Sequence, residues 1–326
     1  MTLIPRLFRA CLLGTGLMLG AMASAQQYPG KSINMIVPFT PGGINDVLAR
    51  LVGDRLSRTL GQPVLVLNRP GAAGNIGARE VARAAPDGYT VLVTSNSVVL
   101  NTVLQPGLMG FDLLADLQPV VLAARSTAVL AVHASVPVKT VGEFVAFARS
   151  KPGEIKVASA GVGSPAHFLL KTFEYRTGTD FLEIPYSAAP QQILALRSGE
   201  VQFAFANMEV IRPFLETGTV KALAVTSERR SDLLPDLPTI EEAGVSGLND
   251  DHWMGYFVPR GTPPEVVKRL AEAVNDALRQ PEIKSKLARG AITVDGHGTS
   301  AGFEQKIRSD VQTYRKLMKE ADIALE

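Results

Sequence analysis

The sequence predicts an α/β protein of two domains, and three observations carry that prediction. From Ser32 onward short β-branched runs alternate with stretches of helical periodicity, the pattern of successive βα units and parallel sheets. The chain has 326 residues, and about 300 remain once its N-terminal segment is set aside, more than one ordinary core takes. Finally, the succession strand, glycine turn, helix occurs near residue 40 and again near residue 160. Two domains closing on one ligand would each offer it a helix N-terminus, so the duplication says more than either copy alone.

The first residues stand apart from the fold. Arg6 and Arg9 form a basic stretch, Cys11 to Met22 is mostly apolar, and Ala23-Ser24-Ala25 is a small-residue cleavage site. Residues 1–25 therefore read as an export signal, with the mature chain starting at Gln26. Cys11 is the only cysteine, and Arg9 stands two residues before it, where a lipoprotein signal wants a small or apolar residue; a lipid anchor is not expected. The mature chain then has no cysteine for a disulfide, a thiol nucleophile or a thiolate metal site. No later stretch holds 18 consecutive apolar residues, so no membrane span is expected. The 33 basic and 31 acidic residues come into balance when Arg6 and Arg9 are removed, which argues against nucleic acid or an anionic membrane as partner.

The first unit runs from a strand at Ile33 to Phe39, through the break Pro41-Gly42-Gly43, into a helix with Val47, Leu48, Leu51, Val52 and Leu56 on one face. Glycines let the backbone approach a ligand, and the unpaired N–H groups of a first helical turn favour an anion, so a carboxylate is expected here. The alternative is a helix start with no ligand. Asp46 lies in that first turn, where it complements the dipole and weakens anion binding, unless it meets an amine or hydroxyl.

A strand at Pro63 to Asn68, a turn at Arg69-Pro70-Gly71 and a helix at Asn75 to Ala84 follow. Asp87-Gly88 turns the chain into a strand at Tyr89 to Thr94, which ends in Ser95-Asn96-Ser97. That cluster lies at a strand's carboxyl end, where open α/β sheets place ligands, although a plain helix N-cap has the same signature. Gln118 to Ala124 and Ala128 to His133 are apolar runs with little between them, a place for the chain to cross between domains. Thr140 and Glu143 form a capping box for a helix to about Ser150. The second unit then comprises a strand at Ile155 to Ser159, the turn Ala160-Gly161-Val162-Gly163-Ser164, and a helix at Pro165 to Arg176 with proline at its first position.

Further strands are expected at Leu182 to Pro185 and Val201 to Phe205, with a helix at Ala188 to Ser198 between them. Asn207 could cap the next helix or reach a ligand. Val220 to Thr226 reads as a strand, Pro235 to Gly244 as a turn-rich segment with a short helix at Thr239 to Ala243, and Trp253 to Val258 as a second crossing strand. Helices at Pro263 to Arg279 and Ser300 to Ala321 carry apolar stripes and are expected to pack back on the first domain.

Several motifs offer chemistry and lose it on inspection. Gly298-Thr299-Ser300-Ala301-Gly302 matches G-x-S-x-G, but His133, His167, His252 and His297 all precede Ser300, whereas that hydrolase fold needs its histidine afterwards. Thr299 or Ser300 is better read as an N-cap. Gly71, Gly74 and Gly77 have the wrong spacing for a dinucleotide fingerprint and suit a tight turn with close helix packing. No two histidines have metal-ligand spacing, and Asp250 and Asp251 have no partner in sequence, so no metal and no cofactor are expected. His167, three residues into its helix, could bond a ligand carboxylate or its own loop.

Taken together, several blocks resemble the Bug-type substrate-binding proteins of tripartite tricarboxylate transporters. They are Val37-Pro38-Phe39-x-Pro41-Gly42-Gly43-x-x-Asp46-x-x-Ala49-Arg50, Asn68-Arg69-Pro70-Gly71-Ala72-x-Gly74-Asn75-Ile76-Gly77, Pro86-Asp87-Gly88-Tyr89-Thr90, Gly161-x-Gly163-Ser164-x-x-His167, Ala222-Leu223-Ala224-Val225-Thr226-Ser227 and Leu234-Pro235-Asp236-x-Pro238-Thr239. The blocks are in the family's order and span essentially the whole mature chain.

The resemblance implies a periplasmic protein of two Rossmann-like α/β domains joined by crossing strands, the type II periplasmic binding protein fold. Domain 1 would comprise 26–125 with 249–326, and domain 2 would comprise 126–248. It implies a monomer, closing on a small organic carboxylate and serving the large and small membrane subunits of a tripartite transporter, with no catalysis. Carried over residue by residue, the ligand-binding positions are Phe39, Thr40, Pro41, Gly42, Gly43, Asn45 and Asp46 in the first loop, and Ser159, Ala160, Gly161, Gly163, Ser164 and His167 in the second. Ser95, Asn96, Ser97, Tyr186, Ala206 and Asn207 line the remaining pocket.

The chain departs from the family where Pro-Tyr-Lys-Gly is usual, having Pro185-Tyr186-Ser187-Ala188, and where an aspartate commonly precedes Asn207, having Ala206. Both changes remove charge from the second domain's rim and point to a less polar or differently charged distal group. An exported carboxylate sensor that docks on a receptor would share these features. An exported hydrolase would need a nucleophile and base in a plausible order, which the sequence lacks.

Overall fold

The computed structural model describes residues 28–159, 161, 164–186, 189–231, 234–248, 252–294 and 296–321. The expected export signal, Ala160, Gly163, Ser187, Ala188, Asp250 and Asp251 lie outside the described residues.

The first half of the chain forms β1 (Ile33–Val37), α1 (Ile44–Leu60), β2 (Val64–Asn68), α2 (Asn75–Ala82), β3 (Thr90–Ser95), α3 (Ser97–Leu104), α4 (Pro106–Met109), α5 (Leu113–Asp116) and β4 (Leu117–Ser126). Next come β5 (Ala128–His133), α6 (Val141–Arg149), β6 (Lys156–Ser159), α7 (Pro165–Thr177), β7 (Leu182–Pro185), α8 (Ala189–Ser198), β8 (Phe203–Asn207), α9 (Met208–Glu216) and β9 (Val220–Val225). The chain closes with β10 (His252–Pro259), α10 (Pro264–Arg279), α11 (Pro281–Arg289), β11 (Ile292–Thr293) and α12 (Ser300–Glu320).

Two sheets result, a six-stranded one in the order β11-β4-β10-β3-β1-β2 and a five-stranded one in the order β7-β6-β8-β5-β9. In the first, β1 runs parallel to β2 and β3, while β10 is antiparallel to β3 and β4. In the second, β6 is parallel to β7 and β8, and β5 is antiparallel to β8 and β9. Both sheets are therefore mixed. The strands that run against the rest are β10 and β11 in the first sheet and β5 in the second; the chain passes from one sheet to the other where β4 ends at Ser126 and β5 begins at Ala128, with Thr127 alone between them.

Each sheet is covered on both faces, which is why its strands read as near-continuous apolar runs. Ile33, Met35 and Val37 face Leu48, Val52 and Leu56 of α1 and the stripe Val266, Leu270, Val274 and Leu278 of α10. Ile36 and Leu92 face the other way, toward Ala78 and Val81 of α2, Val99 of α3 and Phe303 and Ile307 of α12. The last helices thus pack on the first sheet, as their stripes predict. The second sheet buries a cluster of phenylalanines, with Phe203 at 4.8 Å from Phe181 and 5.1 Å from Phe144 between ring centroids. Among the described residues no single helix is long and apolar enough to cross a membrane.

Three local expectations change. The strand expected to reach Phe39 stops at Val37, because the Phe39 carbonyl accepts from the Asn68 side chain instead of a neighbouring strand. The strand expected at Val201 starts at Phe203 and runs through Asn207. At Thr239 to Ala243 there is one capped turn and no helix. Thr239 and Glu242 do bond reciprocally, but the backbone of Val225 accepts from Ile240 and donates to Pro238, tying the segment to β9. The Gly71–Gly77 turn behaves as expected. Gly71, Ala72, Ala73 and Gly74 all have positive φ, and a Cβ on Gly77 would lie 2.9 Å from Pro38 Cβ.

Candidate functional site

The first glycine loop stands at the carboxyl end of β1 and leads into α1. Gly42 takes φ +83°, which an L side chain resists, and Gly43 is the helix N-cap in extended conformation. The first intrahelical bond runs from Val47 N–H to Gly43 O at 3.0 Å, so the N–H groups of Ile44, Asn45 and Asp46 have no partner within the helix. Asn45 is 5% exposed, and its Oδ1 has no hydrogen-bond partner among the described residues.

Asp46 turns inward onto its own loop. Its Oδ2 accepts from Gly42 N–H at 2.9 Å and from Arg50 Nε at 2.9 Å, and its Oδ1 accepts from Asn68 Nδ2 at 2.9 Å. Burial pushes the carboxyl up, but the hydrogen bonds from Arg50, Gly42 and Asn68 outweigh it and hold Asp46 below the usual carboxylate range. Asn68 also donates to Phe39 O at 3.1 Å, so Asp46 and Asn68 together fold the loop back on β2. Arg50 and Asn68 belong to the quoted motif blocks, yet their role as loop clamps is visible only once β1 and β2 are paired.

At the end of β3, Ser95, Asn96 and Ser97 are all buried. Ser95 and Ser97 place their hydroxyls 3.0 Å apart, and Asn96 N–H donates to Trp253 O at 3.1 Å. Asn96 occupies the N-cap position of α3, but its side chain makes no cap bond and donates to the Tyr314 hydroxyl at 3.2 Å. Tyr314 in turn meets the ring of Phe168 edge-on at 5.4 Å. This contact carries the Ser95–Ser97 turn across to α7, the helix that follows the second glycine loop.

The second loop differs from the first. Ser164 caps α7 by accepting from His167 N–H at 3.1 Å, Phe168 N–H bonds Ser164 O at 3.0 Å, and Pro165 has no N–H. Of the first-turn donors only the Ala166 N–H is left over. Gly161 N–H is spent on Ser159 Oγ at 2.8 Å. Ser159, fully buried, donates its own hydroxyl to Glu183, and the other Glu183 oxygen lies 2.7 Å from His167 Nδ1. Burial raises the Glu183 carboxyl, but hydrogen bonds from His167 and Ser159 outweigh it, leaving it below the usual range. Because serine and histidine both bond the carboxylate and not each other, this is not the relay of a nucleophile and its base. Sequence reading overlooked Glu183; its signal is that it is the one acidic residue in an otherwise apolar strand.

The other predicted residues lie at neighbouring strand ends. Tyr186 follows β7, donates its N–H to Ser159 O at 2.9 Å and its hydroxyl to Glu200 at 2.9 Å. Ala206 pairs with Val129 within the second sheet, and Asn207 pairs with Ala128 beside the crossing. Asn207 is the N-cap residue of α9 without a side-chain cap bond. Thr299, in the serine-hydrolase look-alike, caps α12 by accepting from Gly302 N–H at 3.1 Å, and Ser300 donates to Pro119 O. Among the described residues no three His, Cys, Asp or Glu side chains gather as a metal site requires.

Similarity to known proteins agrees with this architecture. Residues 48–323 match the family model described as the tripartite tricarboxylate transporter family receptor. The Bordetella pertussis protein BugT is 35% identical over 279 residues, covering 85% of each chain. The solved structure of Rhodopseudomonas palustris Rpa4515 with adipate superposes with a TM-score of 0.81 at 33% identity, over 91% of this chain and 99% of that one. MatC of the same organism, solved with bound malate, gives 0.78 at 30% identity, over 89% and 99%. With its two mixed α/β sheets, its paired glycine loops and this match over most of its length, the chain belongs to the Bug-type receptor family of tripartite tricarboxylate transporters.

Proposed function

We propose that this protein captures a small organic carboxylate between domain 1 (26–125 with 249–326) and domain 2 (126–248), and releases it unchanged to the membrane subunits of a tripartite transporter. Membership of the family makes it a periplasmic receptor. On this reading residues 1–25 are removed on export, and the mature protein acts as a monomer. The observation that carries the proposal is the start of α1, where Gly42 and Gly43 clear the approach, three backbone N–H groups lack helical partners, and Asp46 is turned away and neutralised by Arg50. An anion meeting that helix end gains the dipole without meeting the aspartate's charge head-on. That relatives of about a third identity are solved with adipate and malate supports a carboxylate as the anion.

The test is thermal unfolding of the mature protein, stripped of ligand by denaturation and refolding, against malate, adipate, amino-acid and aromatic carboxylates. A ligand at about a thousand times its Kd adds roughly 4 kcal/mol, several degrees in a chain of this size. A shift that disappears when the carboxyl is amidated supports the proposal, as does recovery of the compound unaltered. No shift with any of the panel, in folded protein, overturns it.

A further inference from the structure

The two glycine loops are unequal, and the inequality identifies a second kind of ligand contact. At α1 the backbone donors are open. At α7, among the described residues, Ser164, the proline and Ser159 leave only the Ala166 N–H, so a ligand group arriving there meets fewer backbone donors and a side chain gains importance. His167 is the side chain placed to serve. It is 6% exposed, its Nδ1 is occupied by Glu183, and its Nε2 has no hydrogen-bond partner among the described residues.

We infer that Glu183 is a positioning residue that holds His167 with its Nδ1–H toward the carboxylate and its Nε2 free to donate to an anionic group of the ligand, so that capture is coupled to proton uptake. The inference rests on the carboxylate reading above and deepens it. With Nδ1–H committed to Glu183, a neutral imidazole offers only a lone pair at Nε2, which repels a carboxylate. The second proton makes Nε2 a donor, and the imidazolium then lies between two carboxylates, Glu183 on one side and the ligand on the other. The proton comes from solvent and returns to it on release. The charged groups acting on Glu183 among the described residues are His167 and Lys171, and Lys171 is held by Glu174 at 2.7 Å on the same helix. Ser159, on the neighbouring strand β6, contributes a hydroxyl and no charge.

The arrangement favours ligands with a second anionic group over monocarboxylates. The experiment uses the full mature chain with malate or adipate, whichever shifts its unfolding, in the wild type, Glu183→Gln, Glu183→Asp and His167→Gln. Calorimetry in buffers of differing ionisation heat reads proton uptake directly. Imidazole nitrogen-15 shifts, assigned by their loss in His167→Gln, read the tautomer in the free protein.

The wild type is expected to take up a fraction of a proton on binding and to bind more weakly as pH rises, by no more than about tenfold per pH unit. Glu183→Gln abolishes the uptake and flattens the profile, and Glu183→Asp restores part of both. Equal uptake and equal slopes in wild type and Glu183→Gln, or a free-state tautomer protonated at Nε2 alone, overturn the inference while leaving carboxylate capture intact. No binding of any carboxylate by the wild type overturns both.

Discussion

Gly53 and Gly77 both lie in helices and are both buried, and replacing each with alanine should move stability in opposite directions. A Cβ at Gly53 would lie 3.4 Å from Val64 Cγ1, 3.6 Å from Val66 Cγ2 and 3.7 Å from Met35 Sδ, ordinary contacts with mobile side-chain ends. In the middle of α1 alanine is favoured by about 0.8–1 kcal/mol, and the buried methyl adds roughly 0.8 kcal/mol less some crowding. The expected gain is about 1 kcal/mol, close to 2 °C in the unfolding midpoint.

At Gly77 the new atom would lie 2.9 Å from Pro38 Cβ, 3.0 Å from the Arg69 carbonyl oxygen and 3.1 Å from Pro38 Cα. Two of these three neighbours are backbone, so they cannot rotate away. Overpacking of this kind costs roughly 1–3 kcal/mol, and a first-turn site recovers little of it through helix propensity. A net loss of about 2 kcal/mol, near 4 °C, is expected, together with weaker carboxylate binding because Pro38 leads directly into Phe39 and the glycine loop. Circular-dichroism melts of the ligand-free variants decide the matter. Shifts of the same sign would refute the account of how α2 seats the loop.

Three further outcomes follow from buried polar groups. Tyr256 is 1% exposed and its hydroxyl has no partner among the described residues, so Tyr256→Phe should be neutral or stabilising by up to about 1 kcal/mol; a loss above that in urea unfolding would show a missed bond. Asp310 accepts from Trp253 Nε1 at 2.8 Å and from Lys306 Nζ at 2.7 Å, pinning α12 to β10, and Asp310→Ala should cost about 2–4 kcal/mol, with Asp310→Asn losing less. Urea midpoints for the two variants test that order. Asp46 has a folded-state pKa below its unfolded value, so its contribution is complete above about pH 3.9 and is lost as pH falls through the folded value. The stability gap between wild type and Asp46→Asn should stay level from pH 5 to 7 and close below about pH 4. A gap independent of pH would exclude the clamp.

What the sequence made legible is what periodicity and glycine encode. The strand, turn and helix of each glycine unit, the crossing near residue 127 and the stripes of α10 and α12 all follow from local pattern. Helix α3 escaped because Ser97–Leu104 is apolar nearly all round and buried, so it has no stripe to find. The helix after Asn207 is expected only without bounds, because Pro213 inside α9 interrupts the pattern that would mark its extent. The expected helix at Thr239 had the right cap but lost its backbone to β9, a contest that local signals cannot judge. At the site, loop positions were readable while partner choice was not. Asp46 is claimed by Asn68 and His167 by Glu183, which are 22 and 16 residues away, and only the pairing of β1 with β2 and of β6 with β7 brings them together.

Thr127 has a mechanical meaning. Its neighbours are locked into ladders, Ser126 against His252 and Ile292, Ala128 against Asn207, and its carbonyl is held by Met208 N–H at 2.9 Å. A single residue offers two soft torsions, so on this strand the halves of the molecule share one short axle and not a flexible tether. For the closure proposed above, a single linking residue on this strand favours swinging about a line through Thr127 over sliding of one half along the other. A swing leaves points near the axle almost still and moves points far from it most. In the closure proposed above, Asn207 and Ala206, beside the axle, would move least, and the ion pair of Arg176 with Glu320 at 2.9 Å, which joins α7 to α12, would have to break on opening.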